Sequence, residues 1–343
     1  MPAPKRILDQ SDPGTASPLP RTPRHRHALP QLAGALFATD GGLETTLVFH
    51  DGRELPAFAA FTLLADEAGA GRLLDYYRHY ADIAAAHGLG LVLEAPTWRA
   101  NPDWGHRLGY GPEALERCNR AAIALLERVR EHCDRNGQET VISGNLGPRA
   151  DGYRAEARMS AAEAADYHAA QIASFADTAA DMVAAFTINY VEEAIGIVAA
   201  ARAQRMPAAI SFTLETDGAL PSGQPLGEAI TACDAATGVY AAYYMINCAH
   251  PAHFRHTLDA GRAAGAAWIG RIRGLRANAS CKSHAELDAS AELDIGDPEA
   301  LGRDYLALGD LLPGLAVIGG CCGTDHRHVD AICRQLAPGR SAA

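Results

Sequence analysis

The sequence predicts an α/β fold, a single-domain (β/α)8 TIM barrel, on three observations. Eight short apolar runs recur along the chain, segments with helical spacing separate them, and 343 residues suit one domain of this class. The runs are apolar almost throughout rather than alternating, as expected of parallel strands buried on both faces. A doubly wound open sheet is the other arrangement the same units allow.

Residues 1–33 are rich in Pro, Arg and His and contain no apolar stretch of signal-peptide type. They are expected to form a disordered tail, which makes the cytoplasm the expected location. The barrel is expected over residues 34–338. Its strands are read in "GALFATD" from 34, "GLGLVLEA" from 88, "ETVISGNLG" from 139, "MVAAFTI" from 182, "PAAISFTLE" from 207, "AAYYMINC" from 241, "AAWIGRI" from 266 and "LAVIGG" from 315. Between them, Leu73, Tyr76, Tyr80 and Ile83 recur at helical spacing, as do Val329, Ile332 and Leu336. Three connections are long, at residues 41–70, 95–112 and 273–297. Each follows a strand, so all three fall on the C-terminal rim, where barrel enzymes keep their sites. Residues 339–343 form a short C-terminal tail.

Composition excludes several partners. With 30 Lys and Arg against 41 Asp and Glu, a net charge of −11 argues against nucleic acid, whose phosphates demand clustered base. The longest stretch without a charged side chain, Ala235 to Phe254, is too polar to cross a membrane. Small molecules are therefore the expected partners, and the sequence leaves the oligomeric state open.

Three of the eight cysteines fall on the strand ends of the rim. Cys248 closes the sixth strand, and Cys321 and Cys322 close the eighth. These two strands are next-but-one neighbours in a closed barrel. Three thiolates from them would leave one position open on a tetrahedral Zn²⁺, the pattern of a catalytic site. The following helix, opening near Thr324 and Asp325, would favour thiolates through its dipole. A cysteine at a strand end is also a common small apolar residue, and a vicinal Cys321–Cys322 disulfide is a third possibility. Cys118, Cys133, Cys233 and Cys333 lie in helical patterns and read as packing residues; Cys281 lies in a loop.

The segments "TDGGLETTL", "GNLGP", "NCAHP" and "GGCCGT", in this order and spacing, resemble the homocysteine S-methyltransferase family over residues 35–338. The resemblance implies that Cys248, Cys321 and Cys322 ligate zinc. It implies transfer of a methyl group from an onium donor, of the S-methylmethionine, S-adenosylmethionine or betaine type, to a zinc-bound thiol. Homocysteine, giving methionine, is the expected acceptor, with no acid or base beyond zinc activation of the thiol. A different thiol or selenol acceptor, a non-methylating zinc or redox protein, and a metal-independent barrel lyase or hydrolase using Asp40, Glu94 and Glu215 are the competing readings.

By the same resemblance Asp40 meets the acceptor's amino group, Gly41 and Gly42 offer amides to its carboxylate, and Thr187, Asn247 and Asn278 complete the acceptor site. Glu44 caps or orients the first loop. Glu94 and Glu215 end strands two and five, where they contact ligand or pair with Arg99, Arg271 or Arg273. The chain departs from the family at Phe186, where a glutamate usually holds the ammonium group. Glu215 or Asp217 is expected to take over that charge, with Asp40 and Glu215 sharing the amino group, and Arg273 and Arg276 to receive an extra carboxylate. Trp98, Trp104 and Tyr110 are expected to cage a cationic donor through cation–π attraction.

Overall fold

The computed structural model describes residues 22–155, 157–290 and 292–337. Eight parallel strands close into one barrel in chain order: β1 (Phe37–Ala38), β2 (Gly90–Glu94), β3 (Thr140–Leu146), β4 (Met182–Ile188), β5 (Ala208–Thr213), β6 (Tyr243–Asn247), β7 (Ile272–Ala277) and β8 (Val317–Gly320). Closure is made where Phe37 and Ala38 register with Val317 and Ile318. The helices are α1 (Leu43–Thr45), α2 (Glu67–Ala86), α3 (Pro102–Arg107), α4 (Pro112–Arg135), α5 (Ala161–Ala176), α6 (Val191–Ala203), α7 (Leu226–Thr237), α8 (Pro251–Ala263), α9 (His284–Asp288), α10 (Pro298–Leu311) and α11 (His326–Leu336).

The period-two geometry of each strand sends alternate side chains to two cores. Phe37, Val92, Val141, Met182, Ala184, Ala209, Tyr243, Met245 and Val317 fill the barrel interior, while the opposite faces pack against the helices. In α2, Asp66 caps the first turn by accepting from the Gly69 amide, and Leu73, Tyr76, Tyr77 and Tyr80 form the buried stripe. A buried Leu of this kind contributes about 1.5–3 kcal/mol. The tyrosines also reach the mouth: Tyr76 donates to Asp40, and Tyr77 donates to the Glu94 carbonyl.

Two expectations are corrected. The run "AAWIGRI" is mostly a 3₁₀ turn, Ala267–Arg271, and strand seven is the following "IRGLRA". The long connection on that side therefore begins at residue 278 rather than 273. The described part of the supposed tail, residues 22–33, is built into the fold across the N-terminal end of the barrel. The Arg24 and His25 amides donate to Asp181, the Arg26 guanidinium donates to the carbonyls of Ala176, Thr178 and Ala180, and Gln31 reaches Met182 and Tyr243 inside the barrel. Residues 1–21 and 338–343, including the expected C-terminal tail, lie outside the described residues. Among the described residues no helix is long and apolar enough to cross a membrane.

Candidate metal centre and acceptor pocket

The sulfurs of Cys248, Cys321 and Cys322 lie within 4.8 Å of one another, with 3.8 Å between Cys248 and Cys322. A tetrahedral ion with metal–sulfur bonds of about 2.3 Å holds its sulfurs about 3.8 Å apart, so the set fits Zn²⁺ in spacing and softness. Cys248 reaches this place through a left-handed backbone, φ 52°, one residue beyond β6. Non-glycine residues rarely adopt that conformation. The thiol of Cys248 is held well below its ordinary range by hydrogen bonds from Cys321 and then Cys322, joined by those of Tyr153 and Thr187.

Thr187 and Asn247 brace the sulfurs. β4 bulges at Thr187, which is also left-handed at φ 62°. Its amide donates to Asn247 Oδ1 at 3.0 Å, and Asn247 Nδ2 donates back to Thr187 Oγ1 at 3.0 Å. Ser211 Oγ adds a third bond to the Asn247 amide oxygen at 2.7 Å. The remaining donor capacity goes to sulfur: Thr187 Oγ1 lies 3.8 Å from Cys248 and Asn247 Nδ2 3.9 Å from Cys321. Both residues therefore touch the thiols, a contact additional to the acceptor contact expected of them.

Gly42 is likewise committed. Its amide donates to Thr324 O at 3.1 Å, and a Cβ there would stand 2.7 Å from the Cys321 carbonyl. At Gly41 a Cβ would meet the Tyr80 hydroxyl at 2.7 Å. Both glycines are required for close packing under β8, and the Gly42 amide is not free for a carboxylate. The α11 terminus is closed by the Asp325 carboxylate, which accepts from the Arg327 amide, so its dipole is already answered.

The carboxylates separate into three environments. Asp40 is buried, with Oδ1 2.8 Å from Arg276 Nη2 and Oδ2 accepting from the Tyr76 hydroxyl at 2.9 Å. Glu94 is 3% exposed and, among the described residues, neither of its oxygens has a hydrogen-bond partner; burial pushes its carboxyl up to about 7 against the lowering influence of Arg276 and Ser143. Glu44, in α1, is also pushed up to about 7 by burial. Glu215 pairs with His284, whose Nδ1 lies 3.4 Å from Glu215 Oε1. Asp40 thus pairs with Arg276 and Glu215 with His284. The Asn278 amide oxygen is buried without a partner among the described residues.

The aromatic cage is occupied by the protein itself. The Arg99 guanidinium lies 3.9 Å from the centroids of both Trp98 and Trp104, and Arg107 lies 4.5 Å from Trp104. Tyr110 packs edge-on against Phe61 at 5.0 Å. The three rings thus do not enclose a common space for a donor. Arg271 pairs with Asp234, and Arg273 donates to the Gly314 carbonyl, leaving Arg276 as the arginine of that group in the pocket. Cys118, Cys133, Cys233 and Cys333 are buried packing residues whose thiols burial pushes up to about 11 or 12.

Two residues escaped the sequence reading. Tyr153, in the loop after β3, places its hydroxyl 3.6 Å from both Cys248 and Cys322. Its ring packs on that of His284 at 4.2 Å, and His284 Nε2 donates to the Cys248 carbonyl at 2.6 Å. A signal for His284 was present: "SHAE" is a capping box, which starts α9 at Ser283 and fixes His284 in its first turn. Nothing local marks Tyr153.

The homocysteine S-methyltransferase family profile matches residues 38–336. The chain belongs to the homocysteine S-methyltransferase family. The enzyme is thereby a thiol methyltransferase. Among solved structures it is similar to the Escherichia coli homocysteine methyltransferase MmuM. The oxidized form aligns at 20% identity and TM-score 0.66, over 88% of this chain and 96% of that one. The metallated form aligns at 19% and 0.65, over 89% and 98%. At these identities the likeness establishes the shared barrel. Comparison with curated sequences returns no match.

Proposed function

We propose that the enzyme moves a methyl group from an onium donor of the S-methylmethionine, S-adenosylmethionine or betaine type to a thiol held at Cys248, Cys321 and Cys322. The observation that carries this reading is the convergence of three thiols from the ends of β6 and β8 within 4.8 Å. The set contains sulfur alone, which suits Zn²⁺ better than harder cations. Zinc bound there supplies deprotonation of the acceptor thiol at neutral pH and a fixed position for its sulfur.

The chain's own residues supply orientation. Asn247 and Thr187 hold the ligand sulfurs, and His284 anchors the Cys248 carbonyl under Tyr153. Arg276 and Asn278 present polar groups to the far end of the acceptor. In the transfer the thiolate sulfur forms a bond to the methyl carbon while the bond from that carbon to the onium atom breaks. The electron pair stays with the onium heteroatom, and the thiol proton leaves to solvent. Homocysteine, giving methionine, is the acceptor that the family indicates and the reference thiol for assay.

Native mass spectrometry with and without a chelator tests the metal, and a labelled-methyl assay with the three donor types tests the chemistry. One zinc per chain is expected, with loss of both zinc and transfer activity to background in Cys248→Ala. Full zinc retention in that variant would falsify the site.

A further inference from the structure

Beside the sulfurs the barrel mouth carries a buried cation that is ion-paired with Asp40. Arg276, on β7, is 7% exposed. Its Nε donates to the Gly320 carbonyl at 3.0 Å, and its Nη2 donates to the Gly41 carbonyl at 3.1 Å and pairs with Asp40 at 2.8 Å. Its guanidinium carbon lies 5.1 Å from the centre of the Phe186 ring. Nη1 has no partner among the described residues. The position is tied to the candidate ligands through the backbone: the Cys248 amide donates to the Arg276 carbonyl at 3.2 Å, and Gly320 immediately precedes Cys321. The Cys321 thiol is subject to the positive charge of Arg276.

This arrangement discriminates between the two ends of an amino acid. An ammonium group brought here would face a guanidinium whose partner, Asp40, has one oxygen on Arg276 and the other on Tyr76. Phe186 can offer only its ring face, which already lies toward Arg276. A carboxylate would instead meet the unused N–H edge of a planar, permanently charged donor. Two other carboxyl groups, Glu44 and Glu94, feel the same guanidinium, and burial pushes each up to about 7.

We propose that the preferred acceptor is a small mercaptocarboxylate without an amino group, its sulfur at Cys248, Cys321 and Cys322 and its carboxylate on Arg276. This rests on the thiol-acceptor reading above and narrows it to a substrate class. The transfer balances as before: the sulfur–methyl bond forms, the onium bond breaks with its electron pair, and a thioether acid and the demethylated donor leave.

The test uses the zinc-loaded full chain and titration calorimetry with 4-mercaptobutanoate and homocysteine, which differ by the ammonium group alone, and with 1-propanethiol, which lacks the carboxylate. 4-Mercaptobutanoate is expected to bind at least tenfold more tightly than either, and to be methylated with a correspondingly higher kcat/KM. Phe186→Glu, which supplies an anion beside Arg276, is expected to shrink the preference over homocysteine at least tenfold. Homocysteine binding as tightly as 4-mercaptobutanoate overturns the proposal while leaving thiol methylation intact. Equal binding of propanethiol overturns it by removing the carboxylate from recognition. No binding of any thiol to zinc-loaded protein overturns both this proposal and the reading beneath it.

Discussion

Two buried carboxylates, one at each end of the barrel, stand in opposite surroundings. At the N-terminal end, Asp181 is fully buried and answers the Arg24, His25 and Ile142 amides together with the Arg130 guanidinium. At the C-terminal mouth, Glu94 is also buried, yet among the described residues neither its oxygens nor the Asn278 amide oxygen has a hydrogen-bond partner, and Thr187 and Cys248 hold left-handed backbones. An unpaired buried carboxyl and strained residues cost stability that a saturated one does not. The difference teaches which carboxylate this fold secures and which it leaves with capacity for something that binds.

The comparison breaks most sharply at Asp181. Asp181→Ala leaves Arg130, itself 4% exposed, as an uncompensated buried charge, and is expected to cost about 3–5 kcal/mol in denaturant unfolding. Zinc stoichiometry of the folded fraction should stay at one per chain. Loss of zinc with unchanged stability would mean that the two ends are not separate in role.

Glu94 gives the converse, a substitution at the mouth that stabilises. Its folded value of about 7 lies above the ordinary 4.5, so its contribution is most favourable below pH 4.5 and is lost as pH rises to about 7. At about 1.4 kcal/mol per pH unit, the unliganded protein forgoes roughly 3 kcal/mol above pH 7. Glu94→Gln should therefore gain stability over the parent across pH 4.5–7 and hold the gain above it. Parallel stability profiles of the two proteins would show that Glu94 is paired in solution.

Asn247 gives the smallest expected effect. Asn247→Ala removes the brace under Thr187 and Cys321 and should weaken zinc binding 10–100-fold, about 1.4–2.7 kcal/mol, by chelator competition. Unchanged affinity would assign the orientation of the sulfurs to the backbone alone.

What was legible in the sequence follows the same division. Seven strands stand where apolar runs predict them, because a strand buried on both faces must be apolar. β7 was misplaced because its two arginines, Arg273 and Arg276, make it look like a loop. Arg276 is tolerated inside because Asp40 lies 236 residues away in sequence and 2.8 Å away in space, a pairing that no local pattern carries. The three cysteines were legible from strand ends plus family resemblance. The donor cage was not, since ring spacing does not reveal that Arg99 already lies between Trp98 and Trp104. Residues 22–33 read as tail because their bonds run to distant carbonyls and to Asp181, which composition does not register.

That strap also has a consequence in time. Arg24 is separated from Asp181 by 157 residues, so its binding place does not exist until much of the chain has been made. At roughly 5–20 residues per second, synthesis of that interval takes about 8–30 s. Through this wait the guanidinium of Arg26 and the apolar side chain of Leu29 have no seat. Among the described residues, the segment synthesised first docks only after the strands it crosses, and it latches the open end of the barrel late in folding.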